Sequence, residues 1–206
     1  MTTNINLSND NDDSEKIFVF DNFLTSDELE ECEKIVMRAS WSFGHVSTHS
    51  SPITTPFWTM SLTDEPFFNT HIFSKIQNSS KKKFKINFIY ANGQTFGQDG
   101  TYHRDADTKN DYTFCIYLNK QVTTETIDNV GGEFVFKVNK CNNHIVTLSN
   151  SSNVVENSVS RVIIEPYYNR GIMFNGTLYH KGMAFNRYSR SLRISIAFKL
   201  VKISDE

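Results

Sequence analysis

Two histidines and an aspartate are the residues of this chain best placed to do chemistry. Tyr102-His103-Arg104-Asp105 sets His103 and Asp105 two apart, so in extended backbone both project to one side while Arg104 points elsewhere. Further on, Ile172 to Phe174 reads as a strand, and the segment after it delivers His180. A second imidazole arriving from that distant strand end would complete a two-histidine, one-carboxylate set. Such a set holds a non-haem Fe(II) on one side and leaves positions open for a co-substrate and dioxygen. His103, Asp105 and His180 are therefore the expected metal ligands and the expected catalytic centre. Asp99 and Asp107 are rival carboxylates, but only Asp105 shares the His103 face at two-residue spacing.

A second candidate lies near the C-terminus, in Leu192-Arg-Ile-Ser-Ile-Ala-Phe198. Alternation puts Arg193, Ser195 and Ala197 on one face and Ile194, Ile196 and Phe198 on the other. The isoleucine face is core, so the arginine faces either water or an enclosed lumen. A guanidinium in a lumen is costly unless paired, and a dicarboxylate would pair it with a bidentate fork, with the Ser195 hydroxyl adding a hydrogen bond. Arg190 is the alternative arginine; it sits in a Tyr-Ser-Arg-Ser turn where water would suffice.

These residues need strand ends to hold them, and the pattern supplies strands. Ile17 to Phe20 is strand-like, and Thr25-x-x-Glu28 is a capping box that opens a helix carrying Leu29, Cys32, Val36 and Ala39 at helical spacing. A second helix starts at Pro66 and carries Phe68, Ile72 and Ile76 on one stripe. From Lys83 the period changes to two. Strands are expected over 84–90, 112–118, 134–138, 144–148, 162–164, 172–174 and 192–200, with turns at Asn92-Gly93, Asp99-Gly100, Gly131-Gly132 and Asn169-Arg170-Gly171. Helices first and many short strands after predict a mainly β fold with N-terminal helices, a jelly-roll or cupin-like barrel. Residues 1–15, rich in Asn, Asp, Ser and Thr, are expected to form a disordered polar tail. Residues 16–206 then form a single domain, with helical support over about 24–78 and the β core over about 83–201. The Asn- and Ser-rich stretch 139–160 reads as an elaborated surface hairpin.

Bulk composition excludes several partners. Lys+Arg 21 against Asp+Glu 23 leaves a formal net charge of −2, so no global positive field advertises nucleic acid or an anionic membrane. Lys81-Lys82-Lys83 is short and reads as the solvated start of a strand. Cys32, Cys115 and Cys141 are odd in number and lack metal-type spacing, which points to reduced thiols in a reducing compartment. No stretch has the roughly 18 apolar residues needed to span a bilayer, and no signal peptide opens the chain; a soluble, cytoplasmic protein is expected. His45, His49, His71 and His144 are scattered, the segment between Trp41 and Trp58 reads as a mobile loop, and either tryptophan could line a substrate entrance.

The order His103-x-Asp105, Phe114-Cys-Ile-Tyr-Leu-Asn119, Gly131-Gly-Glu133, Asn169-Arg-Gly-x-x-Phe174, His180 and Arg193-x-Ser195 resembles the Fe(II)- and 2-oxoglutarate-dependent dioxygenases, closest to the prolyl 4-hydroxylase-like branch. The likeness runs from Ile17 to Leu200, and Phe23-Leu-Thr-Ser-Asp-Glu-Leu29 is similar to the opening of that branch's N-terminal helix. The resemblance implies a double-stranded β-helix with Fe(II) on His103, Asp105 and His180, and 2-oxoglutarate anchored by Arg193. It implies that Tyr90, in Tyr90-Ala-Asn-Gly93-Gln94, and Tyr117, before Leu118-Asn119, touch that co-substrate. It also implies dioxygen as second substrate, ascorbate as reductant and hydroxylation of a prolyl residue in a peptide or protein. With Asp105 present, no ligand position is vacated for halide. Two features depart from the branch: arginine stands where many prolyl 4-hydroxylases use lysine, and the segment between Gln94 and His103 is longer. Other readings carried beside it are a non-catalytic β-helix that senses metal or a dicarboxylate, and the same chemistry on a small molecule or nucleic acid.

Overall fold

The computed structural model describes residues 2–7, 12–138 and 160–203. Its first strand, β1 (Thr2–Asn6), pairs antiparallel with β2 (Lys16–Phe20), Ile5 opposite Ile17. For the described residues 2–7 and 12–15 this corrects the expectation of a disordered tail over 1–15. Ile5 and Leu7 alternate, and both are buried beside Ile17, Val19 and Phe174. Two apolar side chains suffice here because the sheet edge already offers backbone partners. The start of β2 is also held: Asp13 contacts Lys16 at 2.9 Å and Lys82 at 2.5 Å. Lys82 of the triple-lysine run is therefore paired rather than simply solvated.

The capping box forms as read, with Glu28 accepting from the Thr25 amide at 2.7 Å and Thr25 Oγ1 from the Glu28 amide at 3.3 Å, at the start of α1 (Ser26–Val36). Cys32, Ile35 and Val36 are its buried residues; Ala39 lies past its end and is exposed. After the short strands β3 (Ser42–His45) and β4 (Phe57–Ser61), a π-helical turn over Phe67–Ile72 runs into α2 (Phe73–Ser80), burying Phe68, Ile72 and Ile76. β3 and β4 pair antiparallel, so the ends of the expected 42–57 loop are strands. Glu28 ties the two helices, meeting His71 Nε2 at 2.8 Å and the ammonium of Lys75.

The remaining strands are β5 (Phe84–Gln94), β6 (Asp111–Tyr117), β7 (Phe134–Val138), β8 (Ser160–Ile164), β9 (Gly171–Asn175), β10 (His180–Gly182) and β11 (Arg193–Lys202), with a short helix α3 (Ile127–Val130) before β7. Eight strands form one antiparallel sheet in the order β1-β2-β9-β6-β11-β5-β4-β3, and three form a second in the order β10-β7-β8. The strand expected at 144–148, Cys141 and most of the 139–160 hairpin lie outside the described residues.

The middle of the large sheet, β9, β6 and β11, is buried on both faces. On β6 and β11, Phe114, Ile116, Ile196, Phe198 and Leu200 pack with Cys32 and Ile35 of α1, Phe68 and Ile72 of the π-helical turn, and Ile76 of α2. The alternate residues Cys115, Tyr117 and Ala197 pack with Phe134, Phe136 and Ile164 of the small sheet. Arg193 and Ser195 are on that second face at 2% and 5% exposure. Of the two options the sequence left for this face, water or lumen, the structure has the lumen.

Candidate metal centre

His103 and His180 are held by main chain. They form an isolated antiparallel bridge in which each amide donates to the other's carbonyl at 3.0 Å, and the imidazole centroids are 4.4 Å apart. The Asp105 amide donates to Gly176 O at 2.9 Å, in the turn that leads from β9 to β10. One donor atom from each of His103, Asp105 and His180 lies within 4.8 Å of the others. Asp99 and Asp107 are outside this group; Asp99 Oδ1 instead accepts from the Ala184 amide at 2.8 Å.

Hydrogen bonding fixes the tautomers. His103 Nδ1 is 2.8 Å from Thr101 O and His180 Nδ1 2.8 Å from Leu178 O. A carbonyl only accepts, so both Nδ1 atoms carry the proton, leaving Nε2 as the free lone pair. These bare nitrogens face the Asp105 carboxylate, at 3.3 Å from Oδ1 for His103 and 3.5 Å from Oδ2 for His180. Burial among Phe134, Phe136 and Phe174 pushes the His180 pKa down to about 4, so its imidazole is neutral near pH 7. Two imidazole lone pairs converging on a carboxylate need a cation between them, and nitrogen plus oxygen donors with Nδ1–H tied to carbonyls suit a divalent transition metal.

Burial alone would raise the Asp105 carboxyl. The Lys199 ammonium, in contact with Oδ2, overcomes that and holds it well below the usual carboxylate range. Thr113 Oγ1 donates to the same oxygen at 2.6 Å. Neither Lys199 nor Thr113 was singled out from the sequence. The available signal was parity: Lys199 shares the face of Arg193, Ser195 and Ala197.

At the other end of the same strand face, Arg193 is gripped by its stem side. Nε donates to Gly132 O and Nη1 to Gln94 Oε1, each at 2.8 Å, and Nη1 is 3.5 Å from Ser195 Oγ. The guanidinium carbon is 5.4 Å from the centre of the Tyr117 ring. Buried Nη2 has no hydrogen-bond partner among the described residues. An unpaired donor on a buried cation is costly, and a carboxylate would satisfy it. Arg190 is exposed, away from this lumen.

One cavity of about 230 Å³ joins the parts, lined by His103, Asp105, His180, Arg193, Ser195 and Lys199 among others. Tyr90 lines it too, its ring 5.9 Å from Lys199 Nζ. Tyr117 is not among the lining residues; it is fully buried beneath Arg193. The cavity wall also includes His45, Phe57 and Phe88, with the His45 ring 5.2 Å from Phe57 and 5.6 Å from Tyr90, and Phe88 stacked on Tyr90 at 5.7 Å. Trp58 is exposed beside Phe43.

No protein-family model matches the chain, and no curated protein matches it in sequence. Solved structures do match. A 2OG-Fe(II) oxygenase family oxidoreductase from Burkholderia pseudomallei aligns over 90% of this chain and 84% of its own, with a TM-score of 0.62 at 11% identity. A prolyl hydroxylase from Trichoplax adhaerens, in complex with a hypoxia inducible factor peptide fragment, aligns over 93% and 84%, with a TM-score of 0.61 at 13% identity. A non-heme alpha ketoglutarate dependent epimerase from nogalamycin biosynthesis aligns over 90% and 78%, with a TM-score of 0.58 at 9% identity. The chain has the fold of the 2OG-Fe(II) oxygenases, prolyl hydroxylases among them. Among the described residues no helix is long and apolar enough to cross a membrane.

Proposed function

We propose that this chain is a non-haem Fe(II)- and 2-oxoglutarate-dependent dioxygenase whose two sheets form a double-stranded β-helix in a single domain. His103, Asp105 and His180 would hold the metal, and Arg193, with Ser195 beside it, would anchor the distal carboxylate of 2-oxoglutarate. The observation that carries this reading is a cavity with a convergent His-Asp-His donor set and a buried arginine whose Nη2 lacks a partner among the described residues. Iron and 2-oxoglutarate, when bound, supply the oxidant: dioxygen and 2-oxoglutarate yield succinate and carbon dioxide as a C–H bond becomes C–OH, with ascorbate as the reductant that keeps the metal ferrous.

The chain's own residues do the rest. The carbonyls of Thr101 and Leu178 keep Nδ1 of each histidine protonated and Nε2 free as a ligand. Gly132 O and Gln94 Oε1 preset the guanidinium, so little ordering entropy is lost when a carboxylate arrives. Phe134, Phe136 and Phe174 around His180 exclude water from the inner side of the site. Tyr90 would contact the co-substrate from the cavity wall, whereas Tyr117 would act by supporting Arg193. The substrate we propose is a prolyl residue of a peptide or protein, taken against the aromatic wall of His45, Phe57, Phe88 and Tyr90. The peptide-bound Trichoplax neighbour supports this; the epimerase supports a small-molecule substrate as the second reading. A reducing, cytoplasmic setting fits the free, buried thiols of Cys32 and Cys115.

The test is anaerobic binding of Fe(II) and 2-oxoglutarate, followed by oxygen and mass spectrometry of a proline-containing peptide library. A 16 Da gain on proline, matched by succinate, is the expected result. Binding without turnover on peptides or small molecules would favour a sensing module, and no metal binding would overturn the reading.

A further inference from the structure

Lys199 occupies an unusual place for a lysine. Its side chain is 13% exposed, its ammonium contacts Asp105 Oδ2, and it donates to Thr113 Oγ1 at 3.1 Å. Thr113 in turn donates to Asp105 Oδ2 at 2.6 Å. The three groups close a triangle in which every proton has one consistent direction, lysine to threonine and aspartate, threonine to aspartate. The pairing of β11 with β5 shifts register between Lys199 and Leu200; such irregularities re-aim side chains beside functional sites. A lysine at this depth is tolerated only when paired, and Asp105 is the acid it contacts.

The consequence falls on the two oxygens of one carboxylate. Both oxygens border the site, Oδ1 at 3.3 Å from His103 Nε2 and Oδ2 at 3.5 Å from His180 Nε2, but only Oδ2 also accepts two hydrogen bonds, one of them from a full charge. A carboxylate with both oxygens free can chelate a divalent metal and occupy two positions. A facial site that must take a chelating co-substrate and dioxygen has three open positions and none to spare. Resting on the metal-site reading above, we propose that Lys199 and Thr113 are positioning residues that engage Oδ2 of Asp105, restricting it to ligation through Oδ1 and keeping all three remaining metal positions open.

Mn(II) serves as the probe because it is paramagnetic and redox-stable. On the full chain, Mn(II) affinity is measured by the electron paramagnetic resonance of the free ion, and coordinated water is counted by water-proton relaxation. Wild type is expected to keep about three waters, as an octahedral ion with three protein ligands must. Lys199→Met removes the charge and keeps the stem. It should bind Mn(II) at least about tenfold more tightly, because an unpaired buried carboxylate gains most from a cation, and should lose about one water to the second oxygen. Lys199→Arg should restore both values. If Lys199→Met does not fold, Thr113→Val removes one of the two donors and should shift affinity and water count in the same direction. Unchanged water counts in both variants, with wild type binding normally, would overturn this inference alone. A wild type that binds no Mn(II) would overturn the metal site itself.

Discussion

His103 and His180 face one another across a two-bond backbone bridge, with amide-to-carbonyl distances of 3.0 Å in each direction and ring centroids 4.4 Å apart. The separation of the two imidazoles is thus set by main chain, and either side chain can be truncated without releasing the other. Asp105 differs, because Lys199 depends on it. His103→Ala is therefore expected to abolish metal binding while lowering stability only slightly. Asp105→Ala should abolish metal binding and also strand a buried ammonium, at a cost of about 3–5 kcal/mol. Adding Lys199→Met to Asp105→Ala should recover much of that loss. Urea midpoints of the four proteins decide it; equal midpoints for His103→Ala and Asp105→Ala would mean that the ion pair contributes nothing.

The pH dependence of the metal-free protein should carry a histidine signature. Burial lowers His180 from the ordinary 6.5 to about 4, so between those values the unfolded chain binds a proton that the folded chain does not. Stability then rises with pH through this window: the contribution is complete above about 6.5 and is lost as pH falls towards about 4. Denaturant midpoints followed from pH 7.5 to 4 should fall more steeply for wild type than for His180→Gln. Parallel curves would show that His180 is not held neutral.

Much of this was readable in the chain, because alternation fixes faces. The parity of Arg193 with Ser195 follows from strand geometry alone, and Thr25 with Glu28 announced α1 through local hydrogen bonding; the two-residue step from His103 to Asp105 was legible as well, although an isolated bridge and a bend, rather than a regular strand, bring the pair together. What alternation does not give is the element opposite. Lys199 has the parity of Arg193, yet its contact with Thr113 depends on β6 and β11 lying side by side, and its pairing with Asp105 depends on the turn at Gly176 that holds the Asp105 amide. Tyr117 is expected from the resemblance to touch the co-substrate, and only the packed sheets put it beneath Arg193 rather than along the cavity wall. β1 was missed for the same reason: Ile5 and Leu7 are too few to order themselves, and the sheet edge that accepts them is a tertiary feature.

Gly132 offers a way to disturb the proposed co-substrate anchor, Arg193, without substituting it. Its φ is +91°, and an added Cβ would lie 2.5 Å from Phe185 Cε1, while its carbonyl accepts from Arg193 Nε at 2.8 Å. Gly132→Ala should cost about 1–3 kcal/mol in strain and shift that carbonyl, weakening 2-oxoglutarate binding while leaving Mn(II) affinity near wild type. Calorimetric titration of each ligand separates the two effects, and a parallel loss of both would indicate general misfolding instead.

The arginine assignment makes the sharpest contrast, because Arg193 and Arg190 are three residues apart and differ completely in surroundings. Arg193 is 2% exposed, and its Nη2 has no hydrogen-bond partner among the described residues, whereas Arg190 is exposed in a turn. Losing one partner of a buried, charge-assisted pair costs about 2–5 kcal/mol, so Arg193→Met should raise the 2-oxoglutarate Kd by a factor of roughly 30 or more. Arg190→Met should change it little, since a solvated charge at a distance is screened. The measurement is anaerobic titration of 2-oxoglutarate into Mn(II)-loaded protein, with a denaturation curve to show that Arg193→Met remains folded despite the orphaned Gly132 carbonyl and Gln94 amide oxygen. If Arg190→Met is the damaging change, the anchor lies outside the lumen. If neither variant alters binding, the buried guanidinium is structural, and the His-Asp-His cluster must find its open-position ligand elsewhere.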